Sequence, residues 1–295
     1  MRDPLSGWAE RMDEGRLLRV GFVGVGAIST AIVDALMSGP HAEEIDVVLS
    51  PRSAPRSAEL AARHRRVRVA PHNQLVVDAA DIVILAVLPD QMAALCSSLS
   101  FREEQVVVSL AAGWPPSLLA QHVDPAATVC QMIPLPMIAL HTGPVVICPR
   151  VPLVEHLLQG CGEIVHIERE EDLIVLSCAS ATMSTFLAFE NTVIDWAIKH
   201  GLDAQTAKDY VAGLFLGLAT EAMHTERDRL PELPREYETP GGLNEYLRRS
   251  LTTAGVFAEL ANHLDHLHTT RDPAVEARVG LSEVSRSSPE KRRSG

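Results

Sequence analysis

The chain has 295 residues, of which 46% are hydrophobic and 22% charged. This composition is close to the globular average and excludes a disordered, collagen-like or fibrous protein, while the length favours two domains of ordinary size. A formal net charge of -12 argues against a broad basic face for duplex nucleic acid. We therefore expect no nucleic-acid partner.

Cysteine usage and the N-terminal segment both indicate a reducing, aqueous compartment. The five cysteines are scattered and none has CxxC spacing, which is typical of reduced thiols rather than of a disulfide framework. The first twenty residues mix charges throughout without an apolar core segment. Because no later segment reaches about 18 uninterrupted apolar residues, we expect a soluble, cytoplasmic protein with no membrane partner.

Short runs of β-branched and apolar residues alternate with helical or turn-rich stretches between residues 17 and 167. This alternation is typical of βαβ units and predicts an α/β fold with a parallel sheet. The predicted strands are Leu17–Val23, Ile45–Leu49, Val67–Val69, Ile82–Val87, Val106–Leu110, Thr128–Met132, Val145–Cys148 and Ile164–Ile167.

A glycine-rich turn directly after the first predicted strand is the strongest local motif. Gly24 allows a tight turn, and Gly26 allows backbone N–H groups to approach a pyrophosphate. The helix that follows presents a positive dipole end. Ser29 replaces the third glycine of the usual fingerprint but is still small. The motif predicts a dinucleotide-binding turn made by Gly24, Gly26, Ala27, Ile28 and Ser29.

Residues at the end of the second predicted strand favour NADPH over NADH. An acidic residue there would hold a ribose 2′-hydroxyl, whereas a cationic residue would hold a 2′-phosphate. The sequence offers Ser50, Arg52 and Ser53 and no carboxylate. The alternative is that Arg52 is only a solvated loop cation. The ends of the fourth and fifth strands are expected to complete the cofactor site with Val87, Leu88, Pro89, Ala111, Ala112 and Gly113.

After about residue 169 the pattern changes to long helical segments. Residues 173–200 are nearly all apolar or small, and a helix that is apolar on most faces is buried in a bundle or a subunit interface. Small polar residues near 180–185 interrupt this segment and argue against a single membrane span. We predict a Rossmann-type NADP-binding domain at 1–168, an all-helical dimerisation and substrate domain at 169–270, and a disordered tail at 271–295.

Two features of the helical region are candidates for ligand binding. A Pro-Gly-Gly turn at residues 240–242 opens a predicted helix, and its free N–H groups would suit a substrate carboxylate, with Asn244 able to hydrogen-bond a ligand. The alternative is an ordinary helix start. Glu190 stands in an otherwise apolar segment, where an unpaired carboxyl is costly. Glu190 is therefore either a site residue or a partner in an interface hydrogen bond.

Five segments in order, GFVGVGAISTAI, ADIVILAVLP, SLAAG, EEDLI and TPGG, resemble the pyrroline-5-carboxylate reductase family over residues 20–271. The resemblance implies a Rossmann domain followed by an all-helical dimerisation domain, in a homodimer or a ring of dimers. It also implies hydride transfer from NAD(P)H to the C=N carbon of a cyclic imine, giving proline. The β-hydroxyacid dehydrogenases share this two-domain plan but would require a lysine early in the interdomain helix, and residues 173–198 contain none.

The resemblance also assigns site residues. Asn244 takes the place of a family threonine that hydrogen-bonds the imine nitrogen, and the proton is expected from water or from Glu226. A second family carboxylate falls on Glu190. A family segment whose backbone lies near the substrate falls on residues 179–184. The implied substrate-site residues are Thr239, Gly241, Gly242, Leu243, Ser180, Thr182 and Glu190.

Several family motifs are altered in this chain. A family lysine is replaced by Leu88, an Asn-Thr pair by residues 134 and 135, and glycines by the segment 179–184. These changes lie at the expected substrate site, so we expect a changed substrate on a retained cofactor platform. A non-catalytic NADPH-binding regulatory protein is the alternative. No metal site is predicted, because His263 and His266 have no further ligand at suitable spacing.

Overall fold

The computed structural model describes residues 16–271, which divide into two compact units between Leu173 and Ile174. The expected domain boundary at 168/169 lies a few residues earlier. Residues 1–15 and 272–295 lie outside the described residues, so the predicted disordered tail stays a prediction.

The first unit contains one sheet of eight strands in the order β3-β2-β1-β4-β5-β6-β7-β8. All neighbouring strands pair in parallel except β6 and β7, which are antiparallel. The predicted Rossmann-type sheet is thereby confirmed, with one antiparallel pair added. The strands are β1 Leu18–Val23, β2 Ile45–Leu49, β3 Val67–Val69, β4 Ile82–Leu85, β5 Val106–Ser109, β6 Thr128–Pro134, β7 Pro144–Cys148 and β8 Glu163–His166.

The helices of the first unit connect these strands. A parallel connection needs a crossover of a dozen or more residues, whereas β6 and β7 are joined by a single 3₁₀ turn, Pro136–Leu140, that ends at His141 with φ 56°. The short connection explains the antiparallel pair. The α-helices are α1 Ala27–Ser38, α2 Ala54–Arg63, α3 Asn73–Ala79, α4 Pro89–Ser97, α5 Pro116–Leu119 and α6 Pro152–Leu158.

Apolar residues on the two faces of the sheet form two aliphatic cores. Phe22 on β1 packs with Ile32 and Leu36 of α1, and all three are fully buried. The side chain of Arg19 on β1 donates two hydrogen bonds, of 2.8 and 3.1 Å, to the carboxylate of Asp81, which precedes β4. Burial acts to raise the pKa of Asp81, but the hydrogen bonds and charge of Arg19 outweigh it, so the pKa is lowered.

The second unit is helical in all its regular elements among the described residues. Phe186 and Phe189 of one helix pack against Phe215 of the next, with ring centroids 5.7 and 5.8 Å apart. The helices are α7 Asp172–Ser180, which crosses the boundary between the units, and α8 Thr182–Lys199, α9 Ala204–His224, α10 Leu233–Glu236, α11 Leu243–Thr253 and α12 Val256–Arg271.

The segment 172–199 is, within the described residues, one helical stretch whose length and composition would allow it to cross a membrane. Its mean hydropathy is 1.6, and only 11% of the apolar window is buried in the single chain. Ala181 separates α7 from α8 within this stretch. The same composition is found in helices that bury their apolar faces against another subunit.

Candidate active site

The glycine-rich turn follows β1. Gly24 has φ +101°, and a Cβ atom there would overlap the carbonyl oxygen of Ala86. The Gly24 N–H donates to Ser50 Oγ at 2.9 Å. The turn is therefore held against the ends of β2 and β4, and only glycine fits its first position.

Helix α1 begins directly above this turn. Gly26 is its N-cap residue and provides no side-chain cap, and a Cβ atom at Gly26 would meet nothing within 4 Å. Among the described residues, the N–H groups of the first helical turn have no hydrogen-bond partner, and they lie at the positive end of the helix dipole. Ser29 is buried and donates its hydroxyl to Gly24 O at 3.0 Å. A small side chain thus replaces the third glycine without disturbing the packing.

An open groove of about 500 Å³ lies over the turn. Its walls come from the turn, from the residues that follow β2 and β4, and from the end of β5. The groove brings together seven of the residues predicted to bind the cofactor, namely Gly24, Gly26, Ile28, Arg52, Ser53, Val87 and Leu88. It adds five that were not predicted, namely Val25, Arg56, Ala86, Gln91 and Leu110.

Two arginines line the groove where β2 ends. Arg52 Nη1 lies 3.4 Å from Gln91 Oε1, and Arg56 is exposed in the first turn of α2. The described residues lining the groove include no carboxylate. Sequence reasoning missed Arg56, although a second cation four residues after Arg52 was a usable signal for a phosphate site. The arrangement can hold a dianionic phosphate.

Ser50 does not line the groove but is buried beneath it. Its hydroxyl accepts the Gly24 N–H, and its carbonyl accepts the hydroxyl of Ser57 at 2.9 Å. Ser50 therefore positions the turn, and direct contact between Ser50 and a cofactor stays a prediction. Ala27 is exposed at the start of α1, next to the groove.

The remaining predicted cofactor residues lie at the start of α4 and in the loop after β5, and a hydrogen bond joins these two segments. Trp114 Nε1 donates to Pro89 O at 2.9 Å, and Gln131 Nε2 donates to the carbonyl of the buried Ala111 at 2.8 Å. Ala112 and Gly113 are exposed. Sequence reasoning missed Trp114 and Gln131, because a tryptophan and a glutamine act here only through tertiary contacts.

In the second unit, the loop before α11 satisfies two of its own amides. The Gly241 N–H donates to Glu245 Oε2 at 2.7 Å, and the Gly242 N–H donates to Thr239 O at 2.8 Å. The expectation that these amides are free for a substrate is therefore wrong for both glycines. Within residues 16–271, the amides without a hydrogen-bond partner belong instead to Leu243 and the residues after it in the first turn of α11.

Other contacts hold this loop in one conformation. Glu238 forms a bidentate ion pair with Arg248, and this pair lowers the pKa of the Glu238 carboxyl. A Cβ atom at Gly242 would overlap the Thr239 hydroxyl. Asn244 Nδ2 donates to Tyr237 O at 2.8 Å. Among the described residues, no hydrogen bond engages Asn244 Oδ1, so this oxygen can accept a donor from a ligand.

The other predicted substrate residues are dispersed over the second unit. Ser180 and Thr182 donate their hydroxyls to helix carbonyls at the break between α7 and α8, at 2.9 and 2.7 Å. Glu190 is half-buried on α8, and Glu226 is exposed after α9. Within residues 16–271, no hydrogen bond joins Glu190 or Glu226 to the loop before α11. The role of Glu226 rests on the family resemblance alone, and that of Glu190 on the resemblance and on its apolar surroundings in the sequence.

Both units match models of known protein families. Residues 19–113 match the family described as NADP oxidoreductase coenzyme F420-dependent, and residues 170–270 match pyrroline-5-carboxylate reductase dimerisation. The second match covers the apolar segment 172–199 and suggests self-association through the helical unit.

Individual proteins agree with these matches. Pyrroline-5-carboxylate reductase 3 of Macaca fascicularis is 27% identical over 250 residues, covering 81% of this chain and 90% of the relative. Pyrroline-5-carboxylate reductase of Pseudomonas aeruginosa is 26% identical over 248 residues, covering 80% of this chain and 89% of the relative.

Solved structures share the fold. The 1-pyrroline-5-carboxylate reductase of Streptococcus pyogenes has a TM-score of 0.73 and 21% identity, covering 86% of this chain and 98% of that one. The pyrroline carboxylate reductase of Plasmodium falciparum, solved with NADP bound, has a TM-score of 0.72 and 18% identity, covering 86% and 97%. The matches of both units and of the individual proteins support the pyrroline-5-carboxylate reductase family, a family of NAD(P)-dependent oxidoreductases, for this chain.

Proposed function

We propose that this chain is an NADPH-dependent reductase that transfers hydride to the C=N carbon of a cyclic imine, forming proline or a related imino acid. It acts as a homodimer or a ring of dimers. The observation that carries the proposal is the groove over the Gly24 turn, which is lined both by the start of α1 and by two arginines.

The positive groups that line the groove are complementary to the phosphate groups of NADPH. The diphosphate belongs at the first turn of α1, where the groove is lined by Gly26 and Ile28 and the helix dipole favours an anion. The 2′-phosphate belongs at Arg52 and Arg56, because guanidinium groups bind phosphate oxygens in pairs. NADH lacks that phosphate, so NADPH is the preferred cofactor.

Leu88 marks the altered part of this platform. It stands where the family has a lysine, lines the groove and is 64% exposed in the single chain. An apolar side chain there can pack on a bound cofactor or substrate but cannot pair with an anion. Leu88 therefore supports a substrate less polar at that end than the family's usual imino acid.

Asn244 is proposed to orient the substrate nitrogen. Bound NADPH supplies a hydride, and the C=N carbon accepts it most readily when the nitrogen is protonated. Because Asn244 Nδ2 already donates to Tyr237 O, Oδ1 is left to accept the N–H of the protonated imine. An amide does not release a proton at neutral pH, so the proton comes from water or from Glu226.

The substrate carboxylate is proposed to bind at the start of α11. The amides of Gly241 and Gly242 are occupied inside the loop, so the N–H groups from Leu243 onward are the available donors. Their position at the positive end of an eleven-residue helix suits an anion. Thr239 and the two glycines then shape the loop that presents these donors.

A turnover screen tests the proposed function directly. Absorbance of the reduced nicotinamide is followed with cyclic imino acids of five- and six-membered rings, using NADPH and NADH in parallel. We expect oxidation of NADPH, and a slower reaction with NADH. Turnover of oxo acids alone would favour the β-hydroxyacid dehydrogenase alternative. NADPH binding without oxidation of any compound would favour a regulatory protein.

The variant Asn244→Ala tests the role of the amide. We expect kcat/KM for the imine to fall about tenfold or more, because one hydrogen bond to a charged group is lost. NADPH affinity should not change. Asn262→Ala, which removes an exposed amide from α12, is the matched control. An unchanged rate in Asn244→Ala rules out the proposed role of this residue.

A further inference from the structure

A cluster of metal-ligating side chains lies in the first unit, outside the groove. His41 follows the end of α1, Glu44 ends the 3₁₀ turn Ala42–Glu44, and His156 lies on α6. The sequence indicates no metal site here, because more than a hundred residues separate His156 from the other two. Only the packing of α6 beside the start of β2 brings the three side chains together.

The distances within the cluster match those between the ligands of one small cation. His41 Nδ1 lies 3.1 Å from Glu44 Oε2, and His156 Nε2 lies 3.8 Å from the same oxygen. One ligand atom from each residue lies within 4.8 Å of the others. In a tetrahedral zinc site with metal–ligand bonds of about 2.0–2.1 Å, neighbouring ligand atoms are about 3.3 Å apart.

A fourth residue orients His41. Its Nε2 lies 3.1 Å from Gln159 Oε1, an acceptor of the kind that fixes the ring of a metal-binding histidine from outside. When Nε2 donates to Gln159, Nδ1 presents a lone pair to the Glu44 carboxylate. Two lone pairs 3.1 Å apart repel each other unless a proton or a cation lies between them.

The two histidine rings also lie close together, with centroids 4.5 Å apart. Placing a positive charge on both rings would be unfavourable, whereas two neutral imidazoles can share one cation.

We propose that His41, Glu44 and His156 bind one divalent transition-metal ion of the Zn²⁺ class, with water completing the coordination. Two imidazoles and one carboxylate favour such ions over Ca²⁺ or Mg²⁺. The site follows the C-terminal end of α1, about 18 Å along a twelve-residue helix from the glycine turn at its other end. The ion joins the start of β2 to α6 and stabilises the first unit without taking part in the reaction.

Zinc and cobalt titrations of the full chain test this proposal. After treatment with a chelator, calorimetry with Zn²⁺ should give one ion per chain, and Co²⁺ should give the visible bands of a tetrahedral nitrogen and oxygen site. A hundredfold excess of Zn²⁺ over its Kd should raise the Tm by about 5 °C or more. Wild-type protein that binds no Zn²⁺, or whose Tm does not change, overturns the proposal.

Variants locate the ion. Glu44→Gln keeps the shape of the side chain and should weaken Zn²⁺ binding about tenfold or more, and the double variant His41→Ala and His156→Ala should abolish it. Far-UV circular dichroism and NADPH binding establish that each variant is folded. Zinc binding that persists unchanged in the folded Glu44→Gln variant and in the double variant contradicts the assignment.

Two controls separate the site from general histidine binding. His141→Asn changes a neighbour that contacts Ser38 and Gly160 O and should leave Zn²⁺ affinity unchanged, since asparagine also tolerates a positive φ. The exposed pair His263 and His266 on α12, replaced together by alanine, should likewise have no effect. If only the α12 pair abolishes binding, the proposed site is wrong.

Discussion

The two units of the chain differ in what they do with apolar side chains. In the first unit the large aliphatic residues of β1 and α1, such as Phe22, Ile32 and Leu36, are fully buried. In the second, Trp196 is 61% exposed and Leu216 is 69% exposed on long helices. The first unit therefore completes its own core, whereas the second presents an apolar surface of the kind that marks a subunit contact.

The same contrast extends to the candidate site. In the first unit the groove is shaped by the backbone, through the positive φ of Gly24 and the open amides of α1. In the second, the loop before α11 is shaped by side chains such as Glu238, Glu245 and Asn244. Backbone geometry constrains a cofactor site strongly, while side chains can change with the substrate.

The largest expected effect comes from Gly24→Ala. The added Cβ would overlap Ala86 O at a backbone conformation that alanine disfavours, so NADPH affinity should fall about a hundredfold or more. Isothermal calorimetry measures the loss. Gly213→Ala, in the interior of α9 with no atom within 4 Å of the added Cβ, is the control and should bind NADPH normally. Equal affinity in the two variants would show that the first unit's site does not depend on its turn.

A charge on the exposed helices should disrupt self-association. Leu216→Glu places a carboxylate on the apolar surface of α9, and an unpaired charge buried between subunits is costly. The dissociation constant of the oligomer, measured by analytical ultracentrifugation, should rise about tenfold or more. Leu140→Glu, at a residue of the first unit that is 74% exposed, is the matched control. If Leu140→Glu dissociates the oligomer and Leu216→Glu does not, the subunit contact lies on the first unit and not on the second.

A smaller effect is expected from the Arg19–Asp81 pair within the first unit. The pKa of Asp81 is lower in the folded chain than in the unfolded chain, so the pair stabilises the fold above the unfolded pKa. That stability is lost as the pH falls through the folded pKa. Asp81→Asn should lower the free energy of unfolding by about 1–2 kcal/mol at neutral pH and should flatten the acid limb of the stability curve.

Thermal unfolding across pH 3–7 measures this limb. Asp90→Asn, which removes an exposed carboxylate from α4, should leave the curve as in the wild type. A wild-type acid limb in Asp81→Asn would mean that the pair contributes nothing to the acid sensitivity of the first unit.

Local sequence patterns predict the first unit well because its strands are short apolar runs bounded by turns. All eight predicted strands are present, with shifts at their ends of up to two residues. The antiparallel pairing of β7 was not predicted, because strand direction depends on the path of the connection rather than on the pattern of the strand. The break between α7 and α8 at Ala181 lies among the small polar residues near 180–185 that the sequence predicts as an interruption.

The tertiary contacts of the candidate site could not be predicted from the sequence. Arg56 reaches the groove only because α2 begins beside it, and Trp114 matters through one hydrogen bond to Pro89 O. In the helical unit, the occupied amides of Gly241 and Gly242 depend on the fold of a loop that sequence reasoning treated as open. Such pairings have no local signature.

A crystal structure of the chain grown with NADPH would locate the cofactor. We expect the diphosphate against the amides that follow Gly26 and the 2′-phosphate within hydrogen-bond distance of Arg52 and Arg56. Nucleotide bound elsewhere on the chain, or a groove that stays empty at saturating NADPH, would show that the Gly24 turn does not bind the cofactor.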